Sequence, residues 1–187
     1  MAGNTDIVLE TRGLYKAFPG TIATNNVSFD VHRQEVHAII GENGAGKSTL
    51  CKLLTGLYQP DRGDIIFMGN KVSYRTTTEA MAAGINMVYQ ERNLIPHLTG
   101  AQNIMLGNEI TKMGVILDER EIRATAYKIR DELGIDIPLD MPVGHLSAGV
   151  QQSIEIVRAF STNPKLLILD EPTASLGAVS YTHLTLP

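Results

Sequence analysis

The sequence predicts an α/β fold, a β/α core interrupted by a helical lobe at about residues 91–160. Three observations predict it. The apolar run Glu35–Ile40 (EVHAII) leads into the glycine-rich stretch Gly41–Thr49 and then into leucines at helical spacing. Helical patterning dominates from Gln90 to about Phe160. Finally, Lys165–Asp170 (KLLILD) reads as a buried strand that ends in an acid.

The elements follow in order. Ile7–Thr11 and Val27–Val31 alternate apolar and polar residues and read as strands, with Asn25-Asn26 turning between them. Glu35–Ile40 is a short apolar strand. Leu50, Leu53, Leu54 and Leu57 share a helical face, and Gly56 and Pro60 close that helix. Pro60-Asp61-Arg62-Gly63 is a turn, Asp64–Met68 a strand, and Gly69-Asn70 the next turn. Glu79–Ala83 is a short helix ending at Gly84, followed by a strand at Ile85–Tyr89. Asp118 with Glu121 three residues on opens a helix whose stripe is Ile122, Ala126, Ile129 and Leu133, and Gly134 ends it. A further helix starts at Ser147 and buries Ile154, Ile156 and Val157.

Composition narrows the classes. The 187 residues suffice for one core, or a core with a small lobe. A formal charge of −4 argues against attachment to nucleic acid by bulk charge. Hydrophobic residues at 43% exclude wholesale disorder. The single Cys51 excludes an internal disulfide framework and reads as a small buried hydrophobe. No apolar run approaches the roughly 18–20 residues that span a bilayer. The opening MAGNTDIVLE lacks the basic-then-apolar order of a secretory signal, so a soluble cytosolic domain is expected. His32, His37, His97 and His145 show no metal-ligand spacing.

Gly41-Glu42-Asn43-Gly44-Ala45-Gly46-Lys47-Ser48 satisfies G-x-x-x-x-G-K-[ST] in full, with a strand predicted before it and a helix after it. Its glycines let successive N–H groups point inward at phosphate oxygens, and the following helix adds its N-terminal partial positive charge. Lys47 is expected to neutralise the β- and γ-phosphates of ATP, and the Ser48 hydroxyl to ligate Mg²⁺. Phosphoryl transfer also needs an acid for the metal and a group that orients water. Asp170 and Glu171, leaving a strand end in different directions, suit those two tasks. Ser147, with Gly149 in the first turn behind it, reads as a helix N-cap.

Leu146-Ser147-Ala148-Gly149-Val150-Gln151-Gln152, standing between the phosphate loop and LILDEP, resembles the L-S-x-G-x-Q signature of ABC-type ATPases. The resemblance implies a RecA-like P-loop core with an antiparallel β subdomain and an inserted helical subdomain. It implies that Gly41, Asn43, Gly44, Ala45, Gly46, Lys47, Ser48 and Thr49 bind the nucleotide. Ser147, Gly149 and Gln151 would meet the γ-phosphate held by an opposing domain. Asp170 would bind Mg²⁺ with Ser48, and Glu171 would polarise water. Gln90 resembles the family's Q-loop glutamine, touching both Mg²⁺ and water, and Phe18 the aromatic that stacks on adenine.

Lys16–Gly20, Gly56-Leu57-Tyr58 and Gln90–Gly107 are similar to the first half of the ATP-binding subunits of bacterial monosaccharide importers, of the ribose/galactose/xylose type. That likeness implies a second ABC domain, in tandem or from another chain. Its other partners are transmembrane permease subunits and, through them, a periplasmic sugar-binding protein, with no nucleic acid. It implies a peripheral position on the cytoplasmic face of the inner membrane. Leu94, Ile95, Leu98 and Ile104 are either a docking patch for the permease or plain core. Two rivals stand beside this reading: a soluble ABC ATPase acting on ribosomes or DNA, which shares all the phosphate chemistry, and a non-functional fragment.

The resemblance covers about residues 5–176, and the expected division is one domain, 1–176, with core at about 5–90 and 161–176 and helical subdomain at about 91–160. The family's switch histidine would need a further crossover and strand. His183 sits in the tail Gly177–Pro187 (GAVSYTHLTLP), which shows no such pattern. The tail is expected to be foreign to the family, and the chain to be a C-terminally incomplete fragment with exposed apolar surface on Leu166–Leu169 and impaired hydrolysis.

Overall fold

A computed structural model of the chain describes residues 6–90, 93–112 and 116–171, which fall into two compact units divided after Asn86. Pro172, the tail 177–187 and His183 lie outside the described residues.

The first unit is built on β1 (Ile7–Phe18), β2 (Thr21–His32), β3 (Arg62–Phe67) and β4 (Asn70–Val72), with helices α1 (Lys47–Leu54) and α2 (Thr77–Ala83). The strands form one antiparallel sheet in the order β2-β1-β3-β4. β1 and β2 are longer than their alternation suggests, because the whole hairpin from Ile7 to His32 pairs, closing at Phe18 opposite Thr21. Its ladder breaks register between Thr11 and Leu14. There Gly13 takes a φ of 59° and donates its N–H to Ser28 Oγ at 2.7 Å, as a glycine-bearing bulge does. Leu9, Leu14, Val31, Ile65 and Phe67 are buried on the sheet. α1 buries Leu50, Cys51, Leu53 and Leu54, each leucine contributing about 1.5–3 kcal/mol of hydrophobic stabilisation. α2 starts from Thr76, whose side chain accepts the Glu79 N–H, and stops at Gly84 with a φ of 105°.

One predicted element is corrected. Glu35–Ile40 is not a strand: it makes no ladder among the described residues, and Val36 and Ile40 are both 92% exposed. Local polar contacts take over where β2 ends. Gln34 adopts a φ of 61°, and Glu35 turns its carboxylate back to accept the His32 N–H at 2.6 Å while contacting His37 Nδ1 at 3.0 Å. The His37 ring in turn stacks on Phe29, centroids 5.3 Å apart.

β5 (Ile85–Val88) leads into the second unit, where it pairs with β8 (Leu166–Leu169). Between them lie α3 (Gly100–Ile104), the hairpin β6 (Thr111–Lys112) and β7 (Ile116–Leu117), α4 (Glu119–Glu132), a 3-10 turn at Val143–His145, and α5 (Ala148–Phe160). Ala101, Ile104, Ile122, Ala126, Leu139, Ile154 and Val157 form a helical core. The expected stripe of α4 splits: Ile122 and Ala126 are buried, whereas Ile129 and Leu133 pack half-buried against that core. Asp118 caps α4 by accepting the Glu121 N–H at 3.3 Å. Ile104 belongs to the core and Leu94 packs half-buried on it, while Ile95 and Leu98 are half-buried. Leu166, Leu167 and Ile168 are half-buried and Leu169 is exposed. No helix among the described residues is long and apolar enough to cross a membrane.

Candidate functional site

In the first unit the glycine-rich loop ends where α1 begins. Gly44 and Gly46 take φ values of 83° and 90°, conformations that cost an L side chain dearly. At Gly46 a Cβ would also overlap the Ala23 carbonyl oxygen of β2. Gly46 is thus required twice, by its backbone angle and by its closeness to the sheet. As N-cap of α1 it supplies no side-chain acceptor, and the first turn of α1 carries no acidic residue. The helix therefore presents its N-terminal N–H groups and partial positive charge without an intrinsic carboxylate to compete for them.

Lys47, first residue of α1, bends back over the loop. Its Nζ donates to the carbonyl oxygens of Gly41 at 2.8 Å and Glu42 at 3.0 Å, and Ala45 N–H closes the loop onto Glu42 O at 3.1 Å. The ammonium group thus sits against the loop backbone that the motif assigns to phosphate. Asn43 and Ala45 lie in the exposed part of the loop, and Ser48 and Thr49 follow in the first turn of α1, half-buried.

Phe18 closes β1 and is 37% exposed. Tyr58 meets it edge-on, centroids 5.3 Å apart, and Lys16 Nζ lies 5.6 Å from the Phe18 centroid. Asp61 holds this segment. Its carboxylate accepts from Lys16 Nζ and from the Ala17 N–H, each at 2.8 Å. Those two bonds, the Ala17 N–H first, hold the Asp61 carboxyl below its ordinary value. Asp61 read only as a turn residue in the sequence, because its partners lie more than forty residues away and no local pattern links them.

In the second unit Asp170 is buried, and its N–H donates to the Val88 carbonyl at 3.0 Å. β5 and β8 therefore end together, with Gln90 two residues beyond Val88 and Glu171 directly after Asp170; both Gln90 and Glu171 are exposed. The segment from Asn93 onward is tied down from two sides. Asn93 N–H donates to the buried Glu155 at 2.6 Å, and Arg158 donates to the Asn93 carbonyl at 3.2 Å. Fully buried Asn103 accepts the Ile95 N–H at 2.8 Å and donates to the carbonyls of Ile95, Leu98 and Thr99.

Ser147 is the N-cap of α5, accepting the Val150 N–H at 3.4 Å, and it is exposed. Gly149 sits in the first turn, half-buried. Gln151 donates its side-chain amide to the carbonyls of Val143 and Leu146, both at 2.9 Å, bracing the turn that delivers Ser147. Gly144 lies next in that brace: its N–H donates to the Pro96 carbonyl at 2.9 Å, and a Cβ there would press on Pro96.

Comparison with known proteins agrees with these motifs. The protein-family model described as ABC transporter matches residues 24–174. The chain is 44% identical over 177 residues to the ribose import ATP-binding protein RbsA of Hahella chejuensis, covering 95% of this chain and 35% of that protein. It is 45% identical over 179 residues to the galactose/methyl galactoside import ATP-binding protein MglA of Salmonella typhimurium, covering 96% and 35%. It is 44% identical over 170 residues to the arabinose import ATP-binding protein AraG of Yersinia pestis, covering 91% and 32%. The chain thus spans about a third of the length of these relatives. Among solved structures it is similar to a nucleotide-free ATP-binding cassette from an ABC transporter, with a TM-score of 0.79 and 30% identity over 93% of this chain and 71% of that one. It matches the ADP conformation of the cassette MJ1267 equally well, at 0.79 and 30% over 91% and 71%. The antiparallel sheet, the phosphate loop at the head of α1 and the helical unit carrying L-S-x-G-x-Q are the parts of such a cassette, and the chain belongs to the ABC transporter family.

Proposed function

We propose that the chain is the nucleotide-binding domain of a sugar importer, binding and hydrolysing Mg·ATP to power uptake across the cytoplasmic membrane. The observation that carries the reading is the loop at the head of α1, where Gly46 holds a left-handed backbone pressed against β2 and Lys47 folds back onto the carbonyls of Gly41 and Glu42. Such a site suits a polyphosphate. Each unit by itself offers hard oxygen donors that fit magnesium, the Ser48 hydroxyl in the first and the Gln90 amide oxygen and Asp170 carboxylate in the second. Held by such donors, Mg²⁺ would offset charge on the β- and γ-phosphates. Lys47 and the loop N–H groups hold the phosphates, Phe18 stacks on adenine, and Glu171 orients and deprotonates the attacking water.

Ser147 and Gly149 serve the γ-phosphate of a nucleotide held by a second ABC domain, in tandem or on another chain. Gln151, whose amide is engaged within its own chain, contributes by fixing Ser147. The protein docks peripherally, at the cytoplasmic face of the inner membrane, on permease subunits that receive sugar from a periplasmic binding protein. The relatives, all named as import ATP-binding proteins for ribose, galactose or arabinose, support transport over ribosome- or DNA-associated work.

The test is ATP binding and single-turnover hydrolysis by the chain and by Glu171→Gln. We expect single-turnover hydrolysis by the chain, and its loss in Glu171→Gln with ATP affinity kept within about twofold. Hydrolysis that survives the Glu171→Gln substitution would contradict the role given to this carboxylate.

A further inference from the structure

We propose that Asp61 is a positioning residue for base recognition, fixing the segment Lys16–Phe18 so that the Phe18 ring stands ready for adenine. The inference rests on the nucleotide reading above and deepens it. Phe18 is the last residue of β1, at the tip of the β1–β2 hairpin, and is too exposed to be locked by core packing. What fixes it is a set of contacts from the turn after α1. Asp61 takes the backbone N–H of Ala17, the residue before Phe18, and the ammonium of Lys16. Its own N–H donates to the Tyr15 carbonyl at 2.9 Å. Three consecutive residues before Phe18 are therefore bound by one aspartate.

The same aspartate sets where charge lies around the ring. Lys16 is held by Asp61 and at the same time stands over Phe18, so the cation is placed by an ion pair and does not wander on its flexible stem. Tyr58 abuts the ring edge, and Lys52, in the last turn of α1, lies 5.8 Å from the Tyr58 centroid. The Tyr58 N–H donates to the Lys52 carbonyl at 3.1 Å. A continuous set of contacts thus joins the helix that begins at the phosphate loop to the ring assigned to the base. Base stacking depends on a pre-set ring plane, because ordering it on binding would cost side-chain and backbone entropy.

The experiment compares equilibrium binding of Mg·ATP with that of magnesium tripolyphosphate, which has the phosphates and no base. The chain and the variants Asp61→Ala, Asp61→Asn and Lys16→Met are measured, with circular dichroism melts alongside. The chain is expected to prefer ATP over tripolyphosphate. Asp61→Ala should bind ATP about tenfold more weakly, with tripolyphosphate affinity moving less than twofold. Asp61→Asn, which keeps an acceptor for the Ala17 N–H, should fall between, and so should Lys16→Met if Asp61→Ala does not fold. Parallel loss of both ligands, or an unchanged preference for ATP in the variants, would overturn the proposal. A chain with no preference for ATP over tripolyphosphate would overturn the adenine role of Phe18 itself, and the proposal with it.

Discussion

Gly46 and Ala23 approach so closely that a Cβ at position 46 would overlap the Ala23 carbonyl oxygen. The obstacle is backbone of β2, which cannot swing aside as a side chain could, and the φ of 90° at Gly46 penalises any L side chain in addition. Gly46→Ala is therefore expected to destabilise the chain by about 3 kcal/mol or more and to abolish measurable ATP binding. Denaturant unfolding and nucleotide titration check the two parts. A variant with unchanged midpoint and affinity would show that the loop does not hold this conformation in solution.

Asn103 should be among the most sensitive polar positions of the helical unit. Its amide serves one N–H and three carbonyls of the loop 95–99 with no exposure to solvent. Truncation to alanine leaves the Ile95 N–H without its acceptor, while the carbonyls of Ile95, Leu98 and Thr99 keep the N–H groups of Leu98, Val143 and residue 103. The loss is expected to cost about 1–3 kcal/mol. Amide hydrogen exchange should locate the damage at the Ile95 N–H. A loss below about 0.5 kcal/mol would mean that the loop finds other partners.

Asp118 ties stability to pH. Its carboxyl lies below its ordinary value because Lys112 and, more weakly, the Glu121 N–H bond the charged form. A carboxyl whose folded value is depressed stabilises the fold fully above its unfolded value and loses that contribution as pH falls through the folded value. The window is thus at and below the ordinary aspartate value of 3.8. Asp118→Asn retains a good N-cap without titrating, so it should be less stable than the parent at neutral pH and converge with it in acid. A constant difference between the two from pH 7 to pH 2.5 would exclude this linkage.

Much of the fold was legible because it depends on local chemistry. Asp118 before Glu121, Ser147 before its apolar stripe, and Gly84 and Gly134 at helix ends each read correctly because capping and left-handed stops are decided within one turn. The glycine-rich loop leading into α1 was legible for the same reason, its residues being contiguous. Glu35–Ile40 misled because an apolar run reports a willingness to be buried but not the neighbour that would bury it, and Glu35 bound to His32 and His37 is a contact that periodicity does not encode. The hairpin β6–β7 carries two residues per strand, too few for alternation to register. Within the candidate site the sequence named Phe18 but not Asp61 or Tyr58, which reach it from a turn forty residues on. It placed Gln151 at the nucleotide by family likeness, and could not show that its side-chain NH2 donates to Val143 and Leu146.

Lys47 offers the most direct test, because every functional inference drawn for this chain passes through the phosphate loop. Titration of the chain and of Lys47→Ala with Mg·ATP, each verified as folded by circular dichroism, should show saturable binding by the parent. Lys47→Ala should bind at least about tenfold more weakly, without loss of the helical signal. Equal affinity in the two folded proteins, or no saturable binding by the parent, would contradict the assignment of Gly41–Ser48 as a nucleotide phosphate site.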